Sequence, residues 1–115
     1  MINQKGKIIH VVFADDDVKE AFLKLKSGKF ESARLYNLLL RAFDDLKKNP
    51  FIGTNIPKKI IPKVYAQSYG VSNLWKYNLP NAWRLIYTIK ENEIAVISVI
   101  LEWMDHKNYE RRFNY

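Results

Sequence analysis

The feature that most constrains the fold is a two-residue alternation in residues 75–79 that recurs in residues 83–89. In both segments every second side chain is aromatic or aliphatic, and Lys76 and Arg84 stand at intervening positions. Successive side chains of a β-strand point to opposite faces of the sheet, so each segment predicts a strand with an apolar face. Pro80-Asn81-Ala82 lies between the segments and is typical of a turn. The two segments therefore predict a β-hairpin.

The length of this turn decides which side chains share a face. A two-residue turn at Pro80-Asn81 would set Tyr77 opposite Arg84 and mix apolar with basic side chains. A three-residue loop over residues 80–82 gathers the aromatic side chains on one face, because directly opposed residues lie on the same side of the sheet. We therefore prefer the longer loop. It pairs Leu79 with Trp83, Tyr77 with Leu85, and Trp75 with Tyr87.

The same register makes a prediction about the opposite face of the hairpin. It sets Asn78 opposite Arg84, and Lys76 then projects from the same face one pair further on. Two cations held that close repel each other unless an anion lies between or beside them. The register therefore predicts an anion-binding face at Lys76 and Arg84.

The N-terminal half predicts one strand and two helices. Residues 7–13 are rich in β-branched and aromatic side chains, as strands are. Apolar residues at helical spacing predict a helix over residues 18–25 and a second from about Glu31 to Lys48. Asn49-Pro50 ends the second helix, since proline disfavours helical geometry in the residue before it. The short link between the helices predicts an antiparallel pair.

The apolar run from Ile94 to Leu101 predicts a central strand that is covered on both faces. Glu91-Asn92 suits a short hairpin connection to it, and the first strand can pair along its free side. The expected fold class is therefore α+β, with all 115 residues in a single domain. It comprises an N-terminal strand, an antiparallel helix pair and three antiparallel strands, forming a four-stranded sheet with the helices on one face.

Residues 49–72 predict a long connection, with three prolines and two glycines. Two interpretations remain open, a solvated connector and a binding loop, since long unstructured segments in compact domains are uncommon without a function. Four aliphatic residues are expected to anchor the segment, with its lysines facing outward. The aliphatic residues are Ile56, Ile60, Ile61 and Val64, and the lysines are Lys58, Lys59 and Lys63.

The chain carries 19 basic and 12 acidic residues, for a formal net charge of +7. Such a surplus favours an anionic partner, namely nucleic acid, an acidic protein or a membrane surface. Cysteine is absent, which excludes disulfides and thiolate metal sites and suits a cytoplasmic protein. The longest apolar run, Ile94 to Leu101, is too short to span a bilayer and no secretory signal pattern occurs, so we expect no membrane association.

Neither a metal nor another cofactor is expected. Asp15–Asp17 stand where the first helix begins, where carboxylates cap free amides, and successive side chains there do not converge on an ion. The two histidines, His10 and His106, lie nearly a chain length apart. No glycine-rich phosphate loop or nucleophile motif occurs. His10 alternates with Ile9 and Val11 in the first strand and is interpreted as structural.

Three segments carry a family resemblance: LWKYNLPNAWRLIYTI, VISVILEW and DHKNYERRF. With the order of predicted elements, they resemble the RelE/ParE superfamily of small bacterial and archaeal toxins over nearly the whole chain. RelE-type members cut messenger RNA in the decoding site of the ribosome, and a cognate antitoxin protein holds each one inactive. ParE-like members share the fold, lack the cleavage residues and act on DNA gyrase.

The resemblance favours the RelE-like branch. It implies a metal-independent endoribonuclease whose partners are an antitoxin, the ribosome and messenger RNA, with no DNA binding by this chain alone. Two alternatives remain open: a ParE-like gyrase inhibitor that cleaves nothing, and a degenerate member that only binds RNA or its antitoxin.

The resemblance also implies site residues. Arg84 falls at the RelE-type arginine that stabilises the phosphate, and Lys76 falls near one of the strand lysines. His106 stands just after the last strand, and Tyr109 matches the C-terminal tyrosine. Asn78 replaces a second strand lysine, and no glutamate matches the general base of related ribonucleases. The further candidates for RNA or phosphate binding are Lys58, Lys59, Lys63, Asn78, Lys107, Arg111 and Arg112.

These residue types suit RNA cleavage by the 2′-hydroxyl. The reaction needs a base, an acid and positive charge at the phosphorus. Histidine is the usual proton carrier in such reactions, which makes His106 the candidate, and Arg84 and Lys76 supply charge. Tyr109 has two readings: contact with the substrate, in which it stacks on an RNA base or lends its phenol, and packing on Phe113. If Asp105 starts a helical turn, His106 and Tyr109 lie on the same side of it.

Overall fold

The computed structural model describes residues 6–114, and within them five strands and four α-helices are found. The strands are β1 (Ile8–Phe13), β2 (Thr54–Asn55), β3 (Trp75–Asn78), β4 (Arg84–Glu91) and β5 (Ala95–Met104). The helices are α1 (Asp16–Lys26), α2 (Phe30–Lys48), α3 (Lys63–Tyr69) and α4 (His106–Phe113). The class is therefore α+β, as predicted, and none of the described helices has the length and apolar content needed to cross a lipid bilayer.

All five strands join one sheet in the order β1-β5-β4-β3-β2. β1 pairs with the free side of β5, as predicted, and runs parallel to it, whereas the other pairs are antiparallel. The prediction of four strands was wrong, because Thr54 and Asn55 pair with Lys76 and Trp75 as a fifth strand. A two-residue strand is too short to show alternation, so its sequence carried no signal.

The hairpin register is the predicted one. Trp75 pairs with Tyr87, and Asn78 pairs with Arg84. The Leu79 N–H donates to the Trp83 carbonyl at 2.8 Å and closes a loop of three residues. The predicted gathering of aromatic side chains on one face is therefore confirmed.

One face of the sheet, which we call the first face, packs against α1 and α2. Asp15 caps α1, its Oδ1 accepting from the Val18 N–H at 2.9 Å, which is the role predicted for the aspartates. The two helices form the predicted pair on this face. Their buried side chains meet those of the strands in one core, and its members include Val18, Phe22, Leu35, Leu39, Phe43, Leu85, Tyr87, Val96 and Ile100.

The opposite side, the second face, bears Lys76 and Arg84 and is covered by α3 and α4. The prediction of helices on one face only was therefore wrong. Both helices are short, and each contributes few apolar side chains, so neither showed a helical stripe in the sequence. Their core contains Ile56, Tyr65, Leu74, Ile86, Leu101, Met104, Tyr109 and Phe113.

The segment predicted as a long connection, residues 49–72, is packed against the sheet. The Tyr87 hydroxyl donates to the Pro50 carbonyl at 2.8 Å and accepts from the Gly53 N–H at 3.3 Å. Ile56 is buried, as expected of an anchor, but Ile60 and Val64 are exposed, contrary to expectation. Tyr65 is the missed anchor; it is fully buried beneath α4, where its ring lies 5.8 Å from that of Phe113.

Candidate active site

The predicted pair of cations shares one aromatic ring on the second face. Lys76 Nζ lies 5.0 Å from the centroid of the Tyr109 ring, and Arg84 Cζ lies 5.7 Å from it. β3 and β4 bring the two cations side by side, and α4 supplies the ring that lies against both. Such cation–π contacts offset part of the repulsion between the cations and fix their positions.

Tyr109 is a packing residue, which decides between its two readings. Only 2% of its surface is exposed, and its ring stacks on that of Phe113 at 4.5 Å between centroids. With one side against Phe113 and two cations beside it, the ring leaves no open face for an RNA base. The predicted base-stacking role is therefore corrected to that of a support for Lys76 and Arg84.

His106 is exposed at the first turn of α4, directly after its cap. Asp105 Oδ1 accepts from the Asn108 N–H at 2.9 Å and starts the helix there, as predicted. The His106 Nδ1 lies 3.4 Å from Arg84 Nη2, and its Nε2 lies 2.7 Å from Glu110 Oε1. Arginine is always a donor, so in neutral His106 we assign the lone pair to Nδ1 and the proton to Nε2.

Glu110 is a further candidate site residue, which the sequence analysis did not name. It lies one helical turn after His106, and its carboxylate holds the Nε2 side of the imidazole. The i,i+4 spacing of a histidine and a glutamate in residues 106–110 is the signal that would have found it.

Arg84 and Lys76 are not neutralised by the protein. Within residues 6–114 neither forms an ion pair with a carboxylate. Arg84 Nη1 donates to its neighbour's carbonyl, Trp83 O, at 3.2 Å, and its buried Nε has no hydrogen-bond partner there. An unmet buried donor costs about 1–3 kcal/mol, more when the group is charged, so this guanidinium is suited to an incoming anion.

The residues predicted to bind phosphate are only partly gathered at this site. Asn78 is exposed on β3 directly opposite Arg84 and belongs to it. Arg112 instead donates to Glu102 at 2.9 Å and lies 5.8 Å from the Tyr65 ring, so it holds α4 on the sheet. The others are exposed, and their side chains make no hydrogen bond or ion pair within the described chain; they are Lys58, Lys59, Lys63, Lys107 and Arg111.

The arrangement offers a phosphate two cations and, beside them, a histidine whose far nitrogen is held by a carboxylate. This set can bind an anion and move a proton near it. No group of three or more His, Cys, Asp or Glu side chains suited to a metal ion occurs within residues 6–114. Comparisons of the chain with protein-family models, curated proteins and solved structures found no match.

Proposed function

We propose that this chain is the toxin of a type II toxin–antitoxin module. It is a metal-independent endoribonuclease that cleaves messenger RNA on the ribosome, and a cognate antitoxin holds it inactive. The observation that carries the proposal is the pair Lys76 and Arg84, which has no carboxylate partner among the described residues and adjoins a histidine–glutamate pair. The resemblance of three sequence segments to RelE-type toxins supports the same reaction.

In the proposed reaction the RNA supplies its own nucleophile. The 2′-oxygen forms a bond to the adjacent phosphorus, and the bond from phosphorus to the 5′-oxygen breaks. One proton leaves the 2′-hydroxyl and another reaches the 5′-oxygen, so the products end in a 2′,3′-cyclic phosphate and a 5′-hydroxyl. Charge on the phosphoryl oxygens grows in the transition state, where Arg84 and Lys76 stabilise it.

Arg84 links substrate binding to the base. In the resting site its Nη2 occupies the lone pair of His106 Nδ1. A phosphate that draws the guanidinium toward itself releases this lone pair, which then takes the proton of the 2′-hydroxyl. Glu110 stabilises the imidazolium that forms, as the carboxylate of a catalytic triad does. Lys76 is the other proton donor on this face and supplies the proton to the 5′-oxygen.

The rest of the surface suits a large polyanion. The chain carries a net charge of +7, and the exposed cations of the long segment and of α4 lie on the elements that cover the second face. Contacts between such side chains and phosphates release counterions, so ribosome binding should weaken steeply with salt. The same charges suit an acidic antitoxin.

The test maps messenger-RNA 5′ ends in a translating extract with wild type, Arg84→Ala and His106→Ala. Wild type should produce new 5′-hydroxyl ends, about 100-fold or more above either variant. Arg41→Ala and His10→Ala are matched controls, since each removes an exposed residue of the same type outside the site. Wild type that makes no new ends would overturn the ribonuclease; inhibition of gyrase supercoiling would then support a ParE-like toxin. Undiminished cutting by both site variants would overturn the site.

A further inference from the structure

A cavity of about 690 Å³ lies at the end of the sheet where β4 begins and β5 ends. Its volume falls in the range of small-molecule sites, which is enough for one nucleotide. Residues from both faces of the sheet line it, together with one side of α4. They are Trp83, Glu102, Trp103, Met104, Asp105, Asn108, Arg111 and Arg112.

Two tryptophans give the cavity its chemical character. Trp83 and Trp103 are half-buried on the first face, and neither indole N–H has a hydrogen-bond partner within the described chain. Neither indole nitrogen is a buried atom without a partner, so both N–H groups are reached by solvent and can donate to a ligand. Indole faces stack on nucleobases of every type, and the N–H can donate to a base edge.

The carboxylates that line the cavity are already engaged. Glu102 accepts from Arg112 at 2.9 Å, and Asp105 caps α4 through the Asn108 N–H. Arg111 is exposed and forms no ion pair within residues 6–114. The Asn108 side-chain amide likewise makes no hydrogen bond there. The groups left for a ligand are two indoles, one amide and one guanidinium, which suit a base and its phosphate.

The cavity adjoins the candidate active site along the backbone. Trp83 directly precedes Arg84, which donates to its carbonyl, and Asp105 directly precedes His106. Met104 pairs with Arg84 across the two strands. Trp83 and Arg84 lie on opposite faces of the sheet, one residue apart, so the cavity and the cations meet at the same end of the sheet. An RNA strand that passes round this end can place one phosphate at Arg84 and the adjoining nucleotide at the cavity.

We propose that the cavity binds the base of the nucleotide next to the cleaved bond, stacked on Trp83 or Trp103, with Arg111 at its phosphate. The inference rests on the proposed ribonuclease function for its substrate and gives that enzyme a preference for certain bases. Binding in the cavity requires no cleavage, so the two claims separate in experiment.

The test measures indole fluorescence as an RNA that cannot be cut is added. The chain has three tryptophans, and the third, Trp75, packs on Phe51 away from the cavity. In a Trp75→Phe background all indole emission therefore comes from the cavity. The probes are four 2′-O-methyl tetranucleotides, one for each base, and an acidic peptide serves as the competing ligand.

The tetranucleotides should quench the emission, with affinities that differ among the four bases. Arg111→Ala should bind roughly 10- to 100-fold more weakly, and so should at least one of Trp83→Ala and Trp103→Ala, the effects of losing one phosphate contact or one stacked base. Phenylalanine at the same tryptophan should recover most of the binding, and Arg41→Ala should leave it unchanged. Because Arg111 is exposed, its variant keeps the test valid even if a tryptophan variant does not fold.

Wild-type chain that cuts messenger RNA without quenching by any tetranucleotide would overturn the cavity and leave the ribonuclease standing. Quenching by the tetranucleotides without cleavage of messenger RNA would support the cavity and overturn the ribonuclease. Quenching by the acidic peptide alone would assign the cavity to a protein partner and overturn the proposal.

Discussion

The two faces of the sheet are built from the same strands and differ in how completely they are covered. On the first face two long helices bury Leu85 and Tyr87 entirely. On the second face two short helices cover only part of the surface, and Lys76 and Arg84 lie half-buried where that cover ends. The larger apolar core lies on the first face, and the proposed chemistry belongs to the second.

The difference shows why a cation can remain without a carboxylate partner. A fully covered face would require each charge to be paired, because burial of a lone charge is costly. At an edge that water still reaches, the cations stay hydrated and can bind an anion from outside the chain. The alternation of β4 places the two functions on adjacent residues, Arg84 and Leu85.

The largest expected effect is on the first face. Leu85→Ala removes a fully buried side chain and should lower the free energy of unfolding by about 2–5 kcal/mol. Urea unfolding followed by circular dichroism measures it. Cleavage per folded molecule should stay near that of wild type. A change in stability below about 1 kcal/mol would contradict the division between the faces.

Arg84→Ala should show the opposite pattern. Cleavage should fall about 100- to 1000-fold, since a preorganised donor to the transition state is lost. Stability should change little, because the guanidinium makes no ion pair within the described chain. Arg84→Lys should not restore the rate, since an ammonium lacks the paired, coplanar N–H donors with which a guanidinium holds a phosphate. Full activity in the lysine variant would show that charge alone suffices.

Glu110→Ala should reduce cleavage about 10- to 100-fold, the range found when a carboxylate that orients a histidine is removed. Glu110→Gln should recover part of the loss, because an amide oxygen still accepts from Nε2. The pH profile of single-turnover cleavage is the readout that a merely structural role would leave unmoved. An unchanged profile in both variants would remove Glu110 from the mechanism.

Gly53→Ala tests the packing of residues 49–72 against the hairpin. An added Cβ would lie 2.5 Å from both the Lys76 carbonyl oxygen and the Tyr87 hydroxyl. We expect a loss of about 1–3 kcal/mol in thermal or urea unfolding, with reduced cleavage as Lys76 shifts. Gly70→Ala is the comparison: it strains a left-handed residue (φ 64°) by about 1–2 kcal/mol, meets open space and should leave cleavage unchanged.

The smallest effect is a loss of stability in alkali. The hydrogen bond to Asp45, at 2.5 Å, and burial raise the pKa of Tyr77 to about 12 from 10.0. The folded state therefore favours the neutral phenol, so this contribution is complete below pH 10 and lost as the pH rises to 12. Tyr77→Phe should flatten that part of the pH–stability curve. In that variant stability should still fall with rising pH because of Tyr87, whose pKa burial raises to about 12.

The helix pair, the hairpin register and the shared face of Lys76 and Arg84 were all predictable. Each rests on a periodic pattern several residues long, and a pattern of that length has one arrangement that buries its apolar side chains together. β2, α3 and the buried role of Tyr65 were not predictable, because a strand of two residues is too short to show alternation and a helix of seven residues has only two turns in which to show an apolar stripe.

The candidate site shows the same division between what the sequence could predict and what it could not. The sequence pointed to Lys76, Arg84 and His106, since strand register and residue chemistry are local properties. It left Tyr109 with two readings, because its burial depends on α4 folding back over the second face. It missed Glu110, because the importance of that carboxylate depends on where the His106 ring points.

The sequence alone therefore determined the α+β class, the hairpin register and the side of the sheet on which the cations lie. These follow from backbone geometry, because the spacing of residues along a strand or helix decides which of them lie on the same face of it. Only the tertiary structure decided that Arg84 meets His106, that neither cation has a carboxylate partner within residues 6–114, and that Trp83 and Trp103 open on a cavity. Those properties depend on contacts between distant segments, and the spacing of residues within one segment does not encode them.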